Sequence, residues 1–209
     1  MSSTQKIRIL TVDDHPLLRE GIASLVGTEP DLAIIAEASS GREAVDQFRK
    51  HRPDITLMDL SMADMNGIDA ITQILAEFPG AKIIVLTTYS GDAQIFRALK
   101  AGALGYLLKG SLRKELLETI RAVQAGKKRM SAEVASQVAE YATEDALTSR
   151  EIDVVKLIAQ GNANKVVADR LSITEDTVKA HVRSILSKLG ANDRTHAVTI
   201  AIKRGIIDL

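Results

Sequence analysis

Short apolar runs and amphipathic stretches alternate along the first 125 residues. The runs IRILTV (7–12), AIIAEA (33–38), ITLMDL (55–60), KIIVLT (82–87) and GYLL (105–108) have the length of strands. They are too continuously apolar for a sheet with one wet face, which predicts strands buried on both sides. Amphipathic stretches near 16–27, 41–51, 67–77, 91–102 and 112–126 separate and follow them. Three of these carry start signals: Pro16 in a first turn, Ser40 ahead of GREAV, and Ser111 in SLRKE with Glu115 close behind. Strands alternating with helices imply right-handed crossovers and helices on both faces of a parallel sheet. The expected fold is α/β, a five-stranded doubly wound parallel sheet.

From about residue 148 the strand-like runs disappear. TSREIDVVKLIAQG, NKVVADRL, TEDTVKAHVRSILSKLG and RTHAVTIAIKRG form four helical patterns with breaks of two to four residues. Gly161, Gly190 and Gly205 stand at three of the helix ends, where a left-handed C-cap is expected. The pattern therefore divides the chain into an α/β domain over 1–126, a partly helical linker over 127–143 and an all-α domain over 144–209. No internal repeat or low-complexity tract interrupts it.

Composition narrows the function classes. The chain has 209 residues, 45% of them hydrophobic, 3% aromatic and none Trp, so its cores are aliphatic. With no Cys there is no disulfide scaffold, iron–sulfur site, Cys-based zinc finger or thiol nucleophile. No run reaches 18 apolar residues and the start MSSTQKIRIL lacks a signal-peptide core, which points to a soluble, cytoplasmic protein with no membrane partner. The net charge is zero, yet residues 148–209 carry 10 Lys+Arg against 7 Asp+Glu. That local excess of +3 hints at a polyanionic partner for the C-terminal end.

Candidate chemistry lies at the strand ends. Asp13 and Asp14 follow the first apolar run and Asp59 falls at the end of the third, where open α/β sheets bind their ligands. Three converging carboxylates raise one another's pKa unless a cation neutralises them. Oxygen-only ligands with no His or Cys suit Mg²⁺, which keeps waters and prefers to share a phosphate. Thr87 ends the fourth run with a hydroxyl and Lys109 follows the fifth with an ammonium. Together with Mg²⁺ these groups are what is needed to accept a phosphoryl group and hold its oxygens.

VDDH (12–15), MDLSMADMNG (58–67), VLTT (85–88) and GYLLK (105–109) occur in the order of a response-regulator receiver domain, and residues 6–125 resemble one, a flavodoxin-like fold. The resemblance implies that Asp59 is the phospho-acceptor and that Asp13, Asp14, Asp59 and the Ser61 main chain bind Mg²⁺. It implies further that Thr87 and Lys109 contact the phosphoryl group, and that Tyr106 changes rotamer with Thr87 on activation. One position departs from the pattern. Ala63 stands where receivers usually have Pro, which frees one φ angle and restores an N–H beside the site.

In the C-terminal domain NKVVADRL (164–171), the turn SIT (172–174) and EDTVKAHVRSILSKL (175–189) have the order of a helix-turn-helix. Val178, Val182, Ile185, Leu186 and Leu189 recur at core spacing, Lys179, Arg183 and Ser187 share another face, and Thr174 is a good N-cap. Periodicity alone leaves open a plain helical bundle with a solvated charged face. The string from ALTSRE to RGII, however, is similar to the LuxR-type helix-turn-helix over its whole length, and both matches together resemble the NarL/FixJ family of response regulators. By that resemblance Lys179, Ala180 and Arg183 face base edges, Asn164, Lys165, Thr174, Thr177 and Lys188 contact phosphates, and 194–204 carries the dimer contact on DNA. Ala163 and Val166 replace a common hydroxyl and a common Glu of the family pattern. His15, beside Asp14 and within reach of a Mg²⁺ shell, reads rather as a surface residue at a helix start; His51, His181 and His196 have no metal-ligand spacing, and none of the four is assigned a metal.

The leading expectation is a two-component transcriptional regulator, not an enzyme. A sensor histidine kinase donates phosphate to Asp59, the receiver shifts state and dimerises, and the C-terminal domain binds double-stranded DNA to control transcription, with RNA polymerase a further candidate partner. One alternative is a DNA-binding regulator indifferent to phosphorylation. The other is a Mg²⁺-dependent phosphatase working through an aspartyl-phosphate. That chemistry needs a general acid two residues after the nucleophile, where this chain has Ser61.

Overall fold

The computed structural model describes residues 6–88, 92–130, 134–135 and 146–207, and these form two compact units. In the first, β1 (Ile7–Val12), β2 (Leu32–Ala38), β3 (Ile55–Asp59), β4 (Ile83–Thr87), β5 (Gly105–Leu108) and β6 (Arg129–Met130) form one sheet in the order β2-β1-β3-β4-β5-β6. Every pairing is parallel. The helices α1 (Pro16–Gly27), α2 (Gly41–His51), α3 (Gly67–Glu77), α4 (Asp92–Lys100) and α5 (Leu112–Gln124) supply the connections. A core of Ile9, Ile22, Val26, Leu57, Ile84, Leu86, Leu107, Leu116, Ile120 and Val123 fills one side of the sheet. Each such aliphatic side chain contributes about 2 kcal/mol by leaving water.

The start signals act through different atoms. Pro16 occupies the first turn of α1, and the Ser40 hydroxyl accepts from Glu43 N–H at 3.2 Å. Asn66 caps α3 in the same way, its Oδ1 accepting from Asp69 N–H at 2.9 Å. Ser111 does not cap. Lys109–Ser111 form a 3-10 turn that leads straight into α5, which leaves the Ser111 hydroxyl without a cap bond.

The expected count of five strands is one short. Arg129–Met130 add a sixth, pairing Gly105↔Arg129 and Tyr106↔Met130, inside the stretch 127–143 that the pattern assigned to the linker. Two residues after a pair of lysines carry no periodicity that could announce a strand. Most of the expected linker, 131–133 and 136–143, lies outside the described residues.

The second unit contains α6 (Ser149–Ala159), α7 (Asn164–Leu171), α8 (Glu175–Leu189) and α9 (Arg194–Lys203). Val154, Ile158, Val167, Val178, Ile185, Leu189, Ala197, Ala201 and Ile207 are buried together between them. Gly161, Gly190 and Gly205 have φ of 81°, 60° and 64°, the left-handed helix ends that the pattern predicted. Between α7 and α8 the turn runs through Ser172 at φ 54°, a left-handed position held by a residue other than glycine. Among the described residues no helix is long and apolar enough to cross a membrane.

Candidate phosphoryl site and nucleic-acid face

The order β2-β1-β3 places the topological switch point at the carboxyl ends of β1 and β3, where the crevice of such a sheet opens. Register does the rest. Val12 pairs with Met58, Asp59 with Leu86, and Thr87 with Leu108, so Asp13, Asp59, Thr87 and Lys109 reach one rim. Asp13 and Asp59 are buried, and Lys109 Nζ bridges them, 2.7 Å from Asp13 Oδ2 and 3.0 Å from Asp59 Oδ2. Among the described residues those two buried oxygens have only the ammonium as partner. Asp14 stands at the open side with its side chain 35% exposed.

Burial pushes the Asp59 carboxyl up from its ordinary value, and repulsion from Asp13 adds to it; Lys109 and the Ser61 N–H oppose this without overcoming it. Burial alone would lower the Lys109 ammonium, yet its bonds to both carboxylates hold it above the ordinary lysine range. The Tyr106 ring is fully buried, and burial raises its phenol, with Thr87 its hydroxyl neighbour. Negative charge therefore exceeds positive charge in the cluster, and Asp13, Asp14 and Asp59 each offer it a carboxylate oxygen. That donor set fits a hard divalent cation. It also predicts that Asp59→Asn raises the melting temperature by a few degrees at neutral pH in chelator, because a neutral amide removes the cost of a buried charge and the repulsion from Asp13, which together outweigh the lost attraction to Lys109. An unchanged or lower melting temperature would contradict the argument.

Two supports had no signal in the sequence. Arg19 of α1 donates from Nη1 to the Asp13 carbonyl at 2.6 Å and pairs with Glu37 at 3.2 Å, fixing the loop after β1 from behind. The loop after β3 is held although Ala63 replaces proline. Gly67 N–H donates to the Leu60 carbonyl at 3.0 Å, Met62 is buried, and Arg42 pairs with Asp64 at 3.4 Å.

In the second unit Val178, Ile185 and Leu189 are buried, while Lys179, Ala180, Arg183 and Ser187 are exposed on the remaining face of α8. The Thr174 hydroxyl accepts from Thr177 N–H at 3.2 Å and lies 2.9 Å from the Thr177 hydroxyl, so both sit at the N-terminus of α8. Asn164 and Lys165 open α7. Lys179 is paired with Asp176 at 2.9 Å, an exposed contact that a stronger anion displaces at small cost. Lys188, near the other end of α8, is engaged within the domain. Its ammonium turns inward to Glu151 at 2.9 Å and to the Ala146 carbonyl at 3.2 Å, because the buried carboxylate needs a counter-charge.

Comparison with known proteins agrees with both halves. Residues 9–121 match the response regulator receiver domain, and residues 145–201 match the LuxR family of bacterial regulatory proteins. The chain is 40% identical to the transcriptional regulatory protein LiaR of Bacillus subtilis, over 97% of this chain and 100% of that one. It is 38% identical to the response regulator protein VraR of Staphylococcus aureus, over 96% and 99%. The crystal structure of ChrA, the response regulator of a heme-sensing two-component system, superposes with a TM-score of 0.58 at 35% identity, over 97% and 99%. RcsB of Salmonella typhimurium, studied for its conformational dynamism in DNA interaction, gives 0.73 at 25% identity, over 93% and 98%. With relatives that match it over nearly its whole length, the chain belongs to the NarL/FixJ family of two-component response regulators, carrying a receiver domain followed by a LuxR-type DNA-binding domain.

Proposed function

We propose that the protein is switched by phosphorylation of Asp59 and that the phosphorylated form dimerises and binds DNA through α8. The observation that carries this reading is the pairing of two buried carboxylates with a single ammonium at the switch point of the sheet. In the transfer, an Asp59 carboxylate oxygen attacks the phosphorus of a phosphohistidine on the sensor kinase. The new P–O bond forms as the P–N bond breaks, and the departing imidazole nitrogen keeps the electron pair and takes a proton from water. Asp13, Asp14 and Asp59, with the Ser61 main chain, would hold Mg²⁺, whose charge offsets that on the transferring phosphoryl oxygens. Lys109 is already within 3.0 Å of Asp59 and can follow one of those oxygens. Thr87, buried at the end of β4, offers a hydroxyl to another. Its shift towards the phosphoryl group would free space beside Tyr106, the ring that then reports the new state.

For DNA, the exposed Lys179 and Arg183 suit guanine O6 and N7, and Ala180 between them permits close approach. Asn164, Lys165, Thr174 and Thr177 surround the start of α7 and α8, where backbone N–H groups also favour phosphate. Lys188 is left out, since its ammonium is held by Glu151.

The experiment is retention of genomic DNA fragments by the full chain, with and without a small-molecule phosphodonor and Mg²⁺, alongside intact-mass analysis. The wild type is expected to gain one phosphoryl group and to sharpen its selection of paired half-sites. Asp59→Asn should gain neither, and Arg183→Ala should be phosphorylated yet lose selectivity. Equal DNA selection by wild type and Asp59→Asn under phosphodonor would overturn the reading in favour of a constitutive binder.

A further inference from the structure

The imidazole of His15 has no role in the function proposed above. Its side chain is 70% exposed, as befits a residue at a helix start, yet its position is set by the acidic cluster. The His15 main-chain N–H donates to Asp13 Oδ1 at 2.9 Å, and ring Nδ1 lies 3.2 Å from the same oxygen. That ring nitrogen also lies 2.6 Å from Asp14 Oδ1. One donor atom from each of Asp13, Asp14, His15 and Asp59 falls within 4.8 Å of the others.

These spacings have a chemical meaning. Ligands at neighbouring corners of an octahedron with bonds of about 2.1 Å stand about 3 Å apart. The two distances from Nδ1 bracket that separation. A proton shared between Nδ1 and the carboxylates and a metal ion held by them are alternatives, because both use the same lone pairs. Mg²⁺ takes oxygen and has little use for imidazole, whereas Co²⁺, Ni²⁺ and Zn²⁺ bind imidazole well. Since the ring is mostly in water, its coordination carries little desolvation cost.

We propose that His15 Nδ1 is a ligand of the acidic cluster for divalent transition metals, and that it sets the cluster's preference for them over Mg²⁺. The inference rests on the reading of Asp13, Asp14 and Asp59 as metal ligands and adds the class of ion they take when the imidazole joins them.

Titration calorimetry of the metal-free full chain with Co²⁺ and with Mg²⁺, joined to proton NMR of the Co²⁺ form, tests it. In both His15→Ala and His15→Gln, Co²⁺ affinity should fall by about tenfold or more while Mg²⁺ affinity stays within about twofold. The Co²⁺ form of the wild type should show a hyperfine-shifted, exchangeable imidazole N–H that both variants lack. Glutamine retains an amide able to donate to the carboxylates, so its loss of Co²⁺ separates coordination from mere orientation. His51, His181 and His196 are present in every protein compared, so the difference isolates His15. Wild-type Co²⁺ affinity in His15→Gln, or parallel loss of both ions in both variants, would overturn the inference and leave the Mg²⁺ reading standing. If neither ion binds the wild type, that reading falls and the inference falls with it.

Discussion

Gly67→Ala is expected to lower receiver stability by about 3 kcal/mol and to slow phosphorylation of Asp59 with it. Gly67 is the first residue of α3, and its φ is not in the left-handed region. Backbone freedom is therefore not what demands glycine there. A Cβ at this position would sit 2.1 Å from the Asp59 carbonyl oxygen and 2.9 Å from its carbonyl carbon and from Leu60 Cα. These are main-chain atoms of the strand end and its loop, with no flexible side chain to move aside. The Gly67 N–H to Leu60 carbonyl bond, 3.0 Å long, closes the same loop and would be pushed open. The clash thus reaches the residue whose carboxylate is proposed to react. Urea unfolding of the full chain checks the stability, and initial rates of phosphoryl uptake check the chemistry. Gly80→Ala is the control, since nothing lies within 4 Å of its Cβ position. A Gly67→Ala protein within about 0.5 kcal/mol of wild type would refute the steric argument.

Glu151→Leu should destabilise the C-terminal domain by about 3–5 kcal/mol, because it leaves a half-buried ammonium without its partner. The Glu151 side chain accepts from Thr148 N–H at 2.7 Å, the Thr148 hydroxyl at 3.0 Å, the Ser184 hydroxyl at 2.6 Å and Lys188 Nζ at 2.9 Å. It both completes the capping box of α6 and ties that helix to α8. Burial would push this carboxyl up, but the bonds from Ser184, Lys188 and Thr148 outweigh it and hold the pKa down to about 2. The folded value thus lies below the unfolded one of 4.5, so the stabilisation is fully present above that pH. It is lost as pH falls towards 2, and amounts to about 3 kcal/mol. The urea midpoint of the wild-type domain should therefore drop across that acid range. Glu151→Gln should start lower at neutral pH and lose much of the acid slope. An unchanged slope would place the acid sensitivity in other carboxylates.

What could be read in advance was whatever repeats or punctuates. Five apolar runs, Ser40 before α2, Thr174 before α8 and the terminal glycines each act within a few residues, so their physics is visible in a short window. The four rim residues Asp13, Asp59, Thr87 and Lys109 were legible because each lies at a strand end, and a parallel sheet gathers strand ends by construction. Contacts made across the fold were not. Arg19 behind Asp13 depends on Glu37 from a different strand, and Lys188 turning to Glu151 depends on how α6 crosses α8. Ser111 shows the opposite failure. Its residue type suits a cap, but the 3-10 turn leading from Lys109 takes over the helix start. Two-residue β6 is simply too short for its own pattern.

That short strand has a practical bearing on where the receiver may be cut. Without Arg129 and Met130, the main-chain groups of Gly105 and Tyr106 would form a bare rim, and the neighbouring β5 side chains are apolar. An uncovered parallel strand of that kind invites a second molecule to supply the missing hydrogen bonds. A receiver fragment ended at the close of α5 would be prone to self-association and exchange of strands, whereas one carried past Met130 keeps its own selvedge.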